Sequence, residues 1–380
     1  MSRLAVVVGV VQFLFATTWT AYVVYLPALA KQAGIASWVP WLLVADQLIF
    51  AAMDVVTGFW VDRVRAAVVR LGGWIVAVTA VSCLAFVALP YAGARPGLLL
   101  AAIALWAITS SALRSPPWAL LAQHAPMPAI PWLSTLVLSG TAIASALAPY
   151  LGLTLRGVDP RMPFVVSTVV LFAAVVMLMF AERRLAAPPT AEARPPVPLL
   201  GGTLFVALLI LALGFQVHVA LNAAPRYAQF AARDKLPYLL PVFWIAFNLI
   251  MFPAARLVRR WGAADAMAIA AALGALAALT APLAPGLTLL AVAEFIAGGS
   301  WGMASVAAYS AAVALGRSGR EGRYLGTLFA MLALAVALRI AAVGSGVAQT
   351  HTFSVLAPWL PQSLWLCASL LLLAGRPRRA

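Results

Sequence analysis

The chain has 380 residues, 64% of them hydrophobic and only 9% charged, with 25 Lys and Arg against 10 Asp and Glu. Soluble domains carry roughly 25% charged residues, so this composition excludes an ordinary soluble domain and fits a polytopic membrane protein. The net charge of +15 does not indicate nucleic-acid binding, because the basic residues punctuate apolar runs instead of gathering in a polar domain or tail.

A membrane span needs about 20 apolar residues. Twelve stretches qualify, at 4–30, 39–61, 67–90, 98–121, 131–154, 162–181, 200–222, 237–257, 264–284, 286–313, 323–348 and 353–374. The first follows Arg3 and closes on Ala28, Leu29 and Ala30, in imitation of a signal peptide. Its length far exceeds a usual signal core of about 7–15 residues, so it is read as a retained span.

The only extended polar stretch, "AERRLAAPPTAEARPPVP" at 181–198, divides the spans six and six. The expected organisation is an N-terminal six-helix bundle over 1–181, a cytoplasmic linker over 182–199 and a C-terminal six-helix bundle over 200–380. With the N-terminus inside, sixteen basic residues fall on the inner side, among them Arg63, Arg65, Arg194, Arg256, Arg259, Arg376, Arg378 and Arg379. Seven fall outside: Lys31, Arg95, Arg156, Arg161, Arg226, Arg233 and Lys235. That bias predicts a multi-pass protein of the plasma (inner) membrane with both termini cytoplasmic. Cys83 and Cys367 sit in apolar segments and are read as packing residues, not as a disulfide.

An ionisable side chain in mid-span costs at least about 2.5–3.5 kcal/mol on insertion scales, which makes each one a functional candidate. Asp46 and Asp54 lie in the second span and Arg114 in the fourth. Asp54 stands about 12 Å above Asp62 at 1.5 Å per residue. Arg114 has a similar depth, so the two can form a buried ion pair. Arg114 opens "RSPPWALL", where Pro116 and Pro117 interrupt the helical ladder. Such a break beside a charge suits a transport site or hinge, and equally a structural salt bridge in a kinked helix. His218 and Asn222 share a face of the seventh span, Glu294 lies in the tenth and Arg339 in the eleventh. Thr18, Tyr22 and Tyr25 share a face of the first, and Trp301 and Tyr309 lie in the tenth.

The turn after the second span reads "GFWVDRVR", residues 58–65. It resembles the loop signature of the major facilitator superfamily, with Gly58, Asp62 and Arg63 matching and Arg65 in place of the second Gly. At the equivalent place after the eighth span, "ARLVRRWG" keeps Arg260 and Gly262, with Ala255 and Arg259 replacing Gly and Asp. In the fifth span "ASALAPYLG" is similar to the family's antiporter signature through Pro149 and Gly152, with Ala144 and Ala148 for glycines and Leu153 breaking the final pair. Gly140, Ala144 and Ala148 form a flat stripe for close helix contact. The family's fourth-helix Arg signature would continue toward Gln-Gly, which is absent here.

The resemblance implies an all-α membrane protein of twelve helices in two pseudo-symmetric six-helix bundles. Helices one, four, seven and ten would line the cavity, which places Arg114, His218 and Glu294 on cavity-lining helices. Asp62 would latch the eleventh helix near Arg323. Asp46 would meet Arg339 across the two halves and, with Glu294, form an outer gate or proton-linked network.

The function expected is a proton-coupled antiporter that exports a small organic solute by alternating access about a midplane site. A proton symporter or uniporter importing such a solute is the alternative. Arg114 would favour an anionic substrate if Asp54 does not neutralise it. The expected partners are the solute, protons and the bilayer, with no nucleic acid, and a monomer is expected. No HExxH pair, Cys cluster or GxxxxGK[ST] loop occurs, and His124, His218 and His351 lie in separate segments. An enzyme, a metal site, a cofactor and ATP drive are therefore not expected.

Overall fold

The computed structural model describes residues 1–67, 70–185, 200–317 and 319–375. Among them there are helices and no strands, as a bilayer requires of an open chain whose backbone must satisfy its own hydrogen bonds. Eleven helical segments are long and apolar enough to cross a membrane: Ser2–Gln32, Ala36–Arg63, Gly72–Tyr91, Pro96–His124, Met127–Thr154, Arg161–Arg183, Gly202–Tyr227, Arg233–Trp261, Ala263–Leu283, Leu287–Gly316 and Glu321–Gly344. A shorter apolar helix, Leu360–Ala374, completes twelve. Most of the 182–199 linker, with Arg194, Arg376, Arg378, Arg379 and the side chain of Arg65, lies outside the described residues.

Two boundaries differ from the sequence expectation. The seventh span runs on to Tyr227, so Arg226, expected in an outer loop, is buried and donates to the Pro358 carbonyl at 3.0 Å. The last span is broken into His351–Leu356 and Leu360–Ala374, with Pro361 in the first turn of the second piece.

Two other spans depart from regular α-helix. In the fourth, Pro96–Ser110 gives way to a 3₁₀ turn at Ser111–Leu113, and helix restarts at Ser115 with the prolines in its first turn. The break therefore falls at Arg114, ahead of Pro116 and Pro117, which initiate the new helix. The amide of Gln12 donates to the freed Leu113 carbonyl at 2.7 Å. In the seventh, residues Val217–Asn222 form a π-turn.

In the first half, the first span packs on the fifth and sixth, and the third on the fourth and sixth. A Cβ on Gly140 would overlap the Gly9 carbonyl, so these glycines set how closely the first and fifth spans approach. In the second half the tenth span packs on the eighth and ninth, while the seventh and ninth pack on the twelfth. There the Trp365 ring fills the space left by Gly214 and Gly274, and its Nε1 donates to the Leu211 carbonyl at 2.8 Å. The halves meet along two seams, second span on eleventh and fifth on eighth. These are equivalent under a two-fold that exchanges spans one to six with seven to twelve.

Candidate functional site

On the side of the membrane that carries the chain termini, Asp62 closes the second–eleventh seam. Its Oδ1 accepts from the Gly322 amide at 2.8 Å and its Oδ2 from the Arg323 amide at 2.9 Å. The eleventh span begins at Glu321, so the carboxylate sits at a helix N-terminus with unsatisfied amides and a favourable dipole. Glycine makes the approach possible: a Cβ on Gly58 would strike the Gly322 carbonyl, and one on Gly326 the Asp54 carbonyl. Arg63 is exposed, and Arg323 lies over the Phe59 ring at 4.2 Å. Glu182 does the same within the first half, accepting from the Leu71 and Gly72 amides at 2.8 and 2.7 Å where the third span begins. The second copy of the loop signature has no such carboxylate. Arg259 and Arg260 are exposed, and Gly262 ends the eighth span at φ +89°.

Above this seam a cavity of about 300 Å³ lies between the halves, lined from the first, second, fourth, fifth, seventh, eighth, tenth and eleventh spans. Its wall is mainly apolar and rich in aromatic rings. Phe215 stacks on Trp301 with centroids 4.5 Å apart, and Trp118 on Tyr309 at 4.0 Å. Gln12, Gln47, Gln216, Thr141 and Ser305 supply amide and hydroxyl groups.

Arg114 is the one formally charged lining residue among those described. Its Nε donates to both Asp54 oxygens, at 3.1 and 2.9 Å, and its Nη2 to the Phe329 carbonyl at 3.4 Å. The guanidinium also lies over the rings of Phe50 and Phe329, at 4.8 and 5.4 Å. The condition for an anionic preference is thus not met: Asp54 pairs with Arg114, and the cavity presents no net charge.

The remaining candidates lie behind the wall. The Tyr22 hydroxyl donates to Asp46 at 2.7 Å within a cluster that includes Trp19 and Trp106. Arg339 donates to Gln216 at 2.9 Å. Asp46 and Arg339, expected to meet across the halves, each take a partner within their own half. Asp46 is fully buried with the Tyr22 hydroxyl on its carboxylate, and Gln216 is the cavity-wall acceptor that Arg339 reaches. His218 Nε2 contacts Glu294 Oε2 at 3.2 Å, and Asn222 donates to the Ala357 carbonyl at 2.7 Å. Pro149 lies inside the fifth span, and Gly152 faces open space. Tyr25 donates to the Leu155 carbonyl at 3.0 Å and Thr18 to that of Leu14 at 2.8 Å. Sequence reasoning passed over the cavity amides Gln12, Gln47 and Gln216, whose signal was a polar side chain in an apolar run.

The model of the Major Facilitator Superfamily matches residues 8–338, most of the chain. The chain belongs to the major facilitator superfamily. Solved structures of superfamily transporters share its fold at low sequence identity. The E. coli fucose:proton symporter FucP superposes with TM-score 0.73 at 12% identity, covering 99% of this chain and 98% of that one. A bacterial homologue of the iron transporter ferroportin, in an outward-facing state, gives 0.74 at 14%, covering 98% and 99%. The human organic anion transporter MFSD10 gives 0.67 at 19%, covering 98% of each chain. No curated protein matches the sequence. This superfamily member is accordingly a transporter rather than an enzyme, with two six-helix bundles around its cavity.

Proposed function

We propose that the protein is a proton-coupled antiporter that exports a small organic solute by alternating access. The observation that carries this reading is the cavity between the halves, floored by a neutralised Arg114–Asp54 pair and sealed on the termini side by Asp62. Opening toward the termini must break both Asp62 hydrogen bonds, each worth about 1.5–3 kcal/mol when the acceptor is charged, and separate the glycine seam. Bound solute and bound protons would shift the populations of the two states by their differential affinities. A neutral, aromatic-walled cavity favours an uncharged or zwitterionic solute with an aromatic or other planar apolar part, held by amide and hydroxyl contacts. This replaces the anionic preference expected for an unpaired Arg114. The bias of the basic residues supports cytoplasmic termini, and on that reading the described state opens outward.

Export is supported by the Pro149 and Gly152 match to the fifth-span antiporter signature. The proton symporters among the structural neighbours, FucP and the proton:xylose symporter XylE, favour the second reading, proton-coupled uptake.

The test uses everted vesicles with a respiration-driven acid interior, a pH dye and a chemically broad panel of compounds. Dequenching by neutral aromatic solutes, absent from vesicles lacking the protein, is the expected result. Solute-driven quenching instead would establish symport, and no response from a folded protein would remove proton exchange.

A further inference from the structure

Behind the cavity wall the second half holds a cluster that the transport reading does not use. His218, Asn222, Arg226 and Tyr227 from the seventh span and Glu294 from the tenth are all less than 8% exposed, and none lines the cavity. Among the described residues the cluster keeps polar atoms without partners: His218 Nδ1, Glu294 Oε1, Arg226 Nη1 and the Tyr227 hydroxyl. Buried polar atoms are usually satisfied, so three near one carboxylate, with one of its own oxygens, mark a site. The Glu294 charge acts on both Arg226 and Tyr227, and Tyr227 packs against Ala293, next to Glu294.

The chemistry of the set decides its ligand. Arg226 repels a metal cation, and Glu294 repels an anion. A single proton brings less charge than a metal ion and needs no further ligands: His218 Nε2 and Glu294 Oε2, 3.2 Å apart, can share it, and the Arg226 charge favours the carboxylate once it leaves. We propose that the His218–Glu294 pair is a proton-binding site outside the solute cavity, coupled to it through the seventh and tenth spans.

The other groups around the pair leave the proton there. Phe243 of the eighth span and Trp365 of the twelfth are apolar neighbours of the His218 ring, with centroids at 6.1 and 5.9 Å. The eleventh span contributes Arg339, already held by Gln216, and the ninth has Asp265 at its far end, in its first turn. Arg233, Asp234 and Lys235 in the following turn are exposed.

Coupling follows from position. Three residues before His218 stands Phe215, and seven after Glu294 stands Trp301; these two stack on each other and line the cavity. Between Phe215 and Asn222 the seventh span carries its π-turn, a feature frequent at functional sites and one where backbone hydrogen bonds change register. A proton added to the pair raises the charge of the cluster by one, changes the His218–Glu294 contact, and moves the Phe215–Trp301 wall with it.

The coupling rests on the transport reading, but the site is tested without solute. Infrared difference spectra of the purified full chain, taken between acid and neutral pH, should show a protonated-carboxyl stretch and an imidazole band. Glu294→Gln should remove the first and His218→Gln the second, and His218→Gln should displace the pH midpoint of the carboxyl band. Tryptophan emission should change over the same pH interval, and Trp301→Phe should abolish that change. Glu294→Asp serves if Glu294→Gln does not fold, with a shifted carboxyl band expected. Spectra unchanged by the Glu294 and His218 variants, or a carboxyl band lost only in Asp46→Asn or Asp54→Asn, would overturn the proposal. Vesicle exchange with these bands absent would leave antiport standing and remove the site; the bands without exchange would do the reverse.

Discussion

Asp54 is fully enclosed and its charge is met by one guanidinium. Removing one partner of such a pair leaves an uncompensated buried charge and costs about 3–5 kcal/mol, whereas removing both is far cheaper. Thermal unfolding in detergent should therefore show a large loss in Asp54→Asn and substantial recovery in Asp54→Asn with Arg114→Gln. A double variant no more stable than the single one would contradict the pairing. Folded Asp54→Asn protein has an unneutralised cation in its cavity, so competition assays should show a shift toward carboxylate-bearing solutes. At this scale the sequence displayed which residues were costly, because charges in apolar runs stand out. It did not display their partners: Asp54 and Arg114 shared a depth and met, while Asp46 and Arg339, which the family resemblance would bring together, turned to Tyr22 and Gln216. Depth along a helix is readable from spacing, but azimuth and neighbours depend on packing across the whole bundle.

The glycine seam belongs to the scale of elements. A valine at Gly326 would place its Cβ against the Asp54 backbone carbonyl, which cannot yield as a flexible side chain could. Gly326→Val should prevent closure on the termini side and raise the reactivity of cavity cysteines to impermeant reagents applied there. Asp62→Asn should do the same more weakly, because the amide oxygen still accepts one of the two hydrogen bonds; reactivity unchanged in both variants would reject the latch. Gln12→Leu should destabilise the fold by about 1–3 kcal/mol by stranding the Leu113 carbonyl at the break in the fourth span, an effect measurable by denaturation. Gly58 was visible through the loop signature, but Gly322 and Gly326 were not, since nothing in an apolar run tells a close-approach glycine from any other. The prolines of the fourth span announced a break, and only the backbone showed that they start the new helix instead of ending the old one. The π-turn at Val217–Asn222 left no trace in the sequence, whose apolar periodicity runs through it unchanged.

At the scale of the whole molecule, twelve apolar runs divided by one polar linker were enough for the architecture, because lipid leaves few alternatives to helices. The cavity was harder to read. Its wall draws on eight spans, and its aromatic residues look like ordinary packing until the halves are brought together. Ser305, whose hydroxyl bonds the Trp301 carbonyl at 2.8 Å, lies in that wall. Ser305→Trp should fill the cavity and abolish solute-driven dequenching without loss of the folded protein, as gel filtration would show. Retained transport in that variant would mean that solute passes elsewhere.

Alternating access requires that one cavity be exposed to each side in turn under control of the Asp62 seam. The most direct test labels Thr141→Cys, an exposed position in the cavity wall, in a chain whose Cys83 and Cys367 are replaced by alanine, with an impermeant maleimide applied from either side of sealed vesicles. Labelling should come mainly from the side opposite the termini when Asp62 and Gly326 are intact, and move to the termini side in Gly326→Val. Labelling that stays on one side whatever stands at position 326 would contradict alternating access through this cavity.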